Sequence, residues 1–181
     1  MRELSLHILD VVQNSLAAGA TTIEITVAEL IRANRLQITI ADNGRGMAAE
    51  ELRRVLDPFY TSRRTRKVGL GLPLFQAAAQ RSGGDFRIVS QPGEGTNVSA
   101  VFQYDHLDRA PLGNLTETLV TLIVCNPGVR FLYRHSLNDR TFDFDSEDAR
   151  SLPCGAPVAL PQTVERLKSY IKQGIDGLSM N

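Results

Sequence analysis

Three glycine turns, one helical stretch and one basic run hold the residues of this sequence that could do chemistry. Asp42-Asn43-Gly44-Arg45-Gly46-Met47 follows an alternating apolar stretch. Gly69-Leu70-Gly71-Leu72 opens a helical one, and Gly93-Glu94-Gly95-Thr96 joins two more alternating stretches. Asp42 sets an acceptor-only carboxylate at a strand end, and Gly44 and Gly46 remove the Cβ atoms that would hold a ligand away from the backbone. Met47 offers a soft apolar wall, and Thr96 a hydroxyl at the start of the last strand. Asn14 sits inside a helical stretch, where asparagine is mildly unfavourable, and Asp10 lies one turn earlier on the same face. Arg63, Arg64, Arg66 and Lys67 are the dense basic run and give residues 57–72 a local net charge of +3. Beside a helix start, such a run suits a phosphate-like anion. Each feature also has a plainer reading. Asp-Asn-Gly is a common turn, Asp10 fits a solvated helix charge, Thr96 can simply open a strand, and a basic loop can be solvated or touch RNA.

Other chemistries are excluded. There is no G-x-x-x-x-G-K-[ST] loop and no G-x-G-x-x-G after a strand, so neither a P-loop nor a Rossmann cofactor site is present. The chain has 181 residues, 43% of them hydrophobic, with 20 basic and 20 acidic side chains. That balance argues against nucleic-acid binding through a general basic surface. The apolar stretches are too short to span a bilayer, and no signal-peptide block opens the chain. Cys125 and Cys154 stand far apart without metal-ligand spacing, which points to free thiols and a cytoplasmic setting.

The elements that must position these residues follow from periodicity. Leu4, Leu6, His7, Val11, Asn14, Ser15 and Ala18 recur at helical spacing over residues 2–18, and Gly19 stops the run. Residues 22–27 and 36–40 alternate as strands, as do 86–89 and 98–102 across the Pro92-Gly93-Glu94-Gly95 turn. Residues 49–56 read as a short helix, 57–68 lack apolar periodicity, and 70–81 return to helix. This order predicts an α+β fold, a two-layer sandwich of a mixed sheet with helices on one face. Residues 105–113 read as a connector. Asn114 offers an N-cap with Glu117 three residues on, opening a helix to Cys125. A hairpin over 130–144 and an amphipathic helix from Val164 to Leu178 complete a small C-terminal α/β extension. The expected division is 1–104 and 105–181.

The ordered motifs over residues 1–104 resemble the GHKL superfamily, the ATP-binding domains of sensor histidine kinases, DNA gyrase, Hsp90 and MutL. Residues 10–20 (Asp-Val-Val-Gln-Asn-Ser-Leu-Ala-Ala-Gly-Ala) look like the N-box, in its MutL version. Asp42-x-Gly44-x-Gly46 looks like the G1 box, and residues 57–63 (Asp-Pro-Phe-Tyr-Thr-Ser-Arg) like the kinase F-box. Gly69-Leu70-Gly71-Leu72 looks like the G2 box, and Gly95-Thr96 matches the last motif.

The resemblance implies a Bergerat-type ATP-binding fold with ATP and Mg²⁺ as cofactors. Asp42 would accept from the adenine amine, Thr96 would reach the base directly or through water, and Asn14 would coordinate Mg²⁺ through its amide oxygen. Asp10 stands where gyrase and MutL relatives carry the Glu that orients or deprotonates the attacking water, one methylene shorter. Arg63, Lys67 and Gly69 to Leu72 would belong to the lid over the triphosphate. Ala17 departs from the gyrase and MutL pattern, which has an acid there. No dimerisation helix pair with a phospho-acceptor His precedes the N-box, and His7, His106 and His135 read as non-acceptors. The expectation is therefore an ATP-binding protein acting on a separate protein, by phosphoryl transfer or partner-triggered hydrolysis. A response regulator, an anti-sigma-type target or a complex subunit could be that partner, and a homodimer stays open. The alternative is a non-catalytic nucleotide-sensing subunit.

Overall fold

Alternation of apolar and polar residues builds one mixed sheet in the computed structural model, which describes residues 3–55, 71–150 and 161–179. Its strands are β1 (Thr22–Leu30), β2 (Arg35–Asp42), β3 (Asp85–Gln91), β4 (Gly95–Gln103), β5 (Arg130–Leu137) and β6 (Arg140–Asp145). They lie in the order β3-β4-β2-β1-β5-β6. All neighbours run antiparallel except β1 and β5, which are parallel. The register aligns Ile25 with Ile40 on one side and Tyr133 on the other, and Ile40 with Val98. These side chains are buried, while Glu24, Thr39, Ser99 and Arg134 alternate onto the polar opposite face.

Helices α1 (Leu4–Ala17), α2 (Ala49–Arg54), α3 (Gly71–Arg81), α4 (Leu115–Cys125), α5 (Ser146–Arg150) and α6 (Pro161–Ser179) accompany the sheet. The result is the expected α+β sandwich of a mixed sheet and a helical layer. In α1 the buried stripe is Leu4, His7, Ile8, Val11, Val12 and Ser15. Leu6 falls off that stripe and stays 40% exposed, because a helix turns about 100° per residue and buries one face only. Gly19, at φ +76°, closes α1: its N–H reaches Leu16 and that of Ala20 reaches Ser15. At the other end no side chain caps α1. The N–H groups of Leu4 and Ser5 donate instead to the carbonyls of Pro111 and Leu112, both at 2.9 Å. Residues 105–113 thus do more than connect.

The expected cap of α4 is present, with Asn114 accepting from the Glu117 N–H at 3.0 Å. β1 runs past the alternating stretch to Leu30, because Glu29 finds polar partners inside. Glu29 accepts from Tyr104 (3.0 Å) and bonds His135 Nε2 (2.8 Å), and His135 Nδ1 meets the Tyr133 hydroxyl (2.9 Å). Burial works to raise the Glu29 carboxyl, but bonds from His135 and Tyr104 outweigh it and hold it below the usual range. One core spans residue 104: Ile8, Ile25 and Phe75 share it with Leu119, Phe131 and Ile171. Each such side chain adds roughly 1.5–3 kcal/mol on full burial. The described residues beyond 104 therefore continue the sheet and core built by those before it.

Candidate functional site

One end of the sheet gathers the polar residues singled out by their spacing. Asp42 closes β2, Thr96 opens β4 beside it, and Ser90 of β3 stands next in register, so the three form a row across neighbouring strands. All three share the parity of the buried Ile40 and Val98 and the half-buried Ile88, and so look toward the helical layer.

The Asp42 carboxylate is fixed at both oxygens. Ser15 of α1 donates to Oδ2 at 2.6 Å, and the Gly44 N–H donates to Oδ1 at 2.9 Å. Ser15 also lies 3.4 Å from the Val11 carbonyl, a longer and weaker contact. A carboxylate offers about four acceptor sites, so Asp42 keeps lone pairs for a donor on a ligand. Asn43 pins the turn to the start of β1, accepting from the Thr21 and Thr22 N–H groups, both at 2.9 Å. The Arg45 N–H reaches the Ala18 carbonyl, and the Gly93 N–H reaches the Arg45 carbonyl. The loop is therefore clamped between the end of α1 and the β3–β4 turn.

That clamp explains two glycines. A Cβ on Gly46 (φ +65°) would lie 1.8 Å from the Gln91 carbonyl oxygen, and one on Gly95 (φ +95°) 1.8 Å from that of Asp42. Both close approaches are to the protein's own backbone. Gly44 is tight too, with a Cβ meeting that of Ala18 at 2.9 Å. Met47 is half-buried, and its N–H donates to Ser90 Oγ at 2.9 Å.

On α1, Asp10 and Asn14 are half-buried one turn apart. A Cβ on Gly71 would come 3.2 Å from that of Asp10, so the described start of α3 lies against Asp10. The second glycine motif thus meets the N-box helix. Leu72 is buried in the core. Arg63, Lys67, Gly69 and Leu70 lie outside the described residues, as does the 57–63 stretch and Cys154. Cys125 is free and exposed. His7 is buried in the core against Phe75 and His135 in the Glu29 network. Sequence spacing singles out neither Ser15 nor Ser90 as a site residue. Ser15 carried a signal, a polar residue on the apolar stripe one turn after Val11; Ser90 carried none.

A profile of the "Histidine kinase-, DNA gyrase B-, and HSP90-like ATPase" family matches residues 2–106. The chain belongs to this family. It is 36% identical over 102 residues to histidine protein kinase DivJ of Caulobacter vibrioides, covering 54% of this chain and 17% of that one. Sensor-like histidine kinase SenX3 of Mycolicibacterium smegmatis is 30% identical over 97 residues, 51% of this chain and 25% of its own. The chain thus spans a quarter or less of the length of these curated relatives. In fold it is similar to the Aquifex aeolicus MutL ATPase domain complexed with ADP, with TM-score 0.53, 15% identity, and coverage of 93% of this chain and 70% of that one. The kinase matches cover about half the chain, whereas the MutL domain superposes on nearly all of it. No helix among the described residues is long and apolar enough to cross a membrane.

Proposed function

We propose that this chain is a Mg²⁺-dependent ATP-binding protein that acts on a separate protein, by phosphoryl transfer or by ATP hydrolysis that the partner triggers. The observation that carries the reading is the Asp42 carboxylate, held by Ser15 and Gly44 in line with Thr96. These acceptors suit the exocyclic amine of adenine. On α1, Asn14 supplies a hard amide oxygen that suits the metal. When bound, Mg²⁺ would neutralise charge on the transferring phosphate. Met47 would wall the base, and Arg63 and Lys67, with Gly69 to Leu72, would face the triphosphate. Residues 1–104 would form the nucleotide unit and 105–181 its support.

Asp10 is the proposed base. A positioned base contributes about 10²–10⁴-fold to turnover. Asp10→Asn should therefore cut partner-stimulated turnover by about that factor and leave nucleotide affinity within a few fold. Asn14→Ala should weaken Mg²⁺-ATP binding itself. The kinase relatives favour a response regulator as acceptor; an anti-sigma-type target or a complex subunit would serve the same chemistry. A cytoplasmic setting and a homodimer belong to the same proposal.

A second reading, a nucleotide-sensing subunit without catalysis, draws on the shorter reach of Asp10 and on Ala17 in place of an acid. The assay is labelled ATP with and without candidate partners, for wild type and both variants. Turnover that is intact in Asp10→Asn removes Asp10 as base. A wild type that binds nucleotide and partner without turnover selects the sensor.

A further inference from the structure

We propose that Ser90 is a positioning residue that sets the base selectivity of the nucleotide site, by holding the Thr96 hydroxyl as a hydrogen-bond acceptor. This rests on the reading of Asp42 and Thr96 as the base-facing row and deepens it.

A serine hydroxyl has one proton to give and two lone pairs to offer. Ser90 Oγ has three neighbours at 2.9 Å: the Met47 N–H, the Gly95 carbonyl oxygen and Thr96 Oγ1. The Met47 N–H can only donate, so it takes one lone pair of Ser90. The Gly95 carbonyl can only accept, so the Ser90 proton lies on that line. What remains on Ser90 is its second lone pair, and two oxygens 2.9 Å apart need a proton between them. That proton comes from Thr96. The Thr96 hydroxyl is thereby spent as a donor toward Ser90, and its own lone pairs are what a ligand meets.

Asp42 reinforces the pattern. As a carboxylate it can only accept, and its two donors, Ser15 and the Gly44 N–H, are the protein's own. The Asp42–Thr96 row is thus acceptor against acceptor toward the ligand. A 6-amino purine presents protons to such a row, directly or through one water. A 6-oxo purine presents a carbonyl oxygen there and meets lone pairs. A free threonine hydroxyl could rotate to donate to that oxygen; with Ser90 in place it is held.

The experiment is titration of the full 181-residue chain with Mg²⁺-ADP and Mg²⁺-inosine diphosphate, for wild type, Ser90→Ala, Ser90→Thr and Thr96→Val. Ser90→Ala releases the Thr96 hydroxyl to rotate. Its preference for ADP over inosine diphosphate should fall about threefold to tenfold, the range of one hydrogen bond gained or lost. Affinity for ADP itself should change by less than the ratio does. Ser90→Thr keeps the hydroxyl and should keep the wild-type ratio, and in a Thr96→Val background Ser90→Ala should leave the ratio unmoved. Ser90→Ala weakening both nucleotides equally, or leaving the ratio within twofold of wild type, overturns the assignment and makes Ser90 a structural strut. Wild type that binds neither nucleotide overturns the base-facing reading itself, which separates that failure from this one.

Discussion

His7 faces Phe75 with ring centroids 5.2 Å apart and planes 18° from parallel, and its Nδ1 has no hydrogen-bond partner among the described residues. Burial, aided by the positive charge of Arg81, pushes its imidazole down to about 4 from an ordinary 6.5. The unfolded chain therefore takes up a proton between those values that the folded chain refuses. Stability is full above pH 6.5 and falls as pH drops toward 4, by about 3 kcal/mol at the lower end from this residue alone. Denaturant melts from pH 7 to 5 should show wild type losing about 2 kcal/mol that His7→Leu does not lose; equal losses would remove His7 as the cause. At this scale the sequence was readable where chemistry is local. Asp42 and Gly44 belong to one turn and bond within it. Ser15 reaches Asp42 from 27 positions away, and Ser90 bonds Met47 from 43 away. No spacing rule connects such pairs, because the fold alone brings them together.

Elements impose their own demands, and the β3–β4 turn separates two kinds of glycine. Gly93 and Gly95 both have positive φ, +81° and +95°, but a Cβ on Gly93 meets nothing within 4 Å. On Gly95 it would strike the Asp42 carbonyl. Gly93→Ala should cost about 1–2 kcal/mol from the left-handed conformation alone. Gly95→Ala must also push β4 from the end of β2, so its loss should be clearly larger and should reach Asp42. Paired denaturation and nucleotide titrations test this: equal stability losses, with binding unchanged in Gly95→Ala, would contradict the clamp. Much of the element structure was legible beforehand. The Asn114 cap, the Gly19 stop and the β3–β4 turn use local rules of capping and left-handed glycine. The inward Glu29 was not, since period-two alternation treats an acid as outward. Its partner His135 lies 106 residues on. The cap of α1 was hidden for the same reason, its acceptors being backbone carbonyls of Pro111 and Leu112.

Across the whole molecule, β1 is the hinge of the design. It pairs with β2 over eight positions on one side and with β5 over eight on the other. The parallel β1–β5 pairing joins the family-matched residues 2–106 to the chain beyond them, and parallel pairing leaves no turn signal in a sequence. Removing residues 107–181 would strip β1 of that neighbour, uncover Ile23, Ile25 and Val27, and leave the first turn of α1 without its carbonyl caps. A chain ending at residue 106 should therefore lose cooperative unfolding and associate through the freed β1 edge. A sharp, concentration-independent melt of that fragment would show the extension to be dispensable. At the other end of the same sheet, Asp42 is the residue proposed to meet the adenine base. Asp42→Asn puts an amide in place of one carboxylate oxygen and removes the charge that Ser15 and Gly44 support. Calorimetric titration of wild type and Asp42→Asn with Mg²⁺-ADP tests it directly. The account predicts wild-type binding at micromolar levels, about −8 kcal/mol, and a loss in Asp42→Asn of at least tenfold, the scale of a hydrogen bond to a charged group. Equal affinity in the two proteins would contradict it.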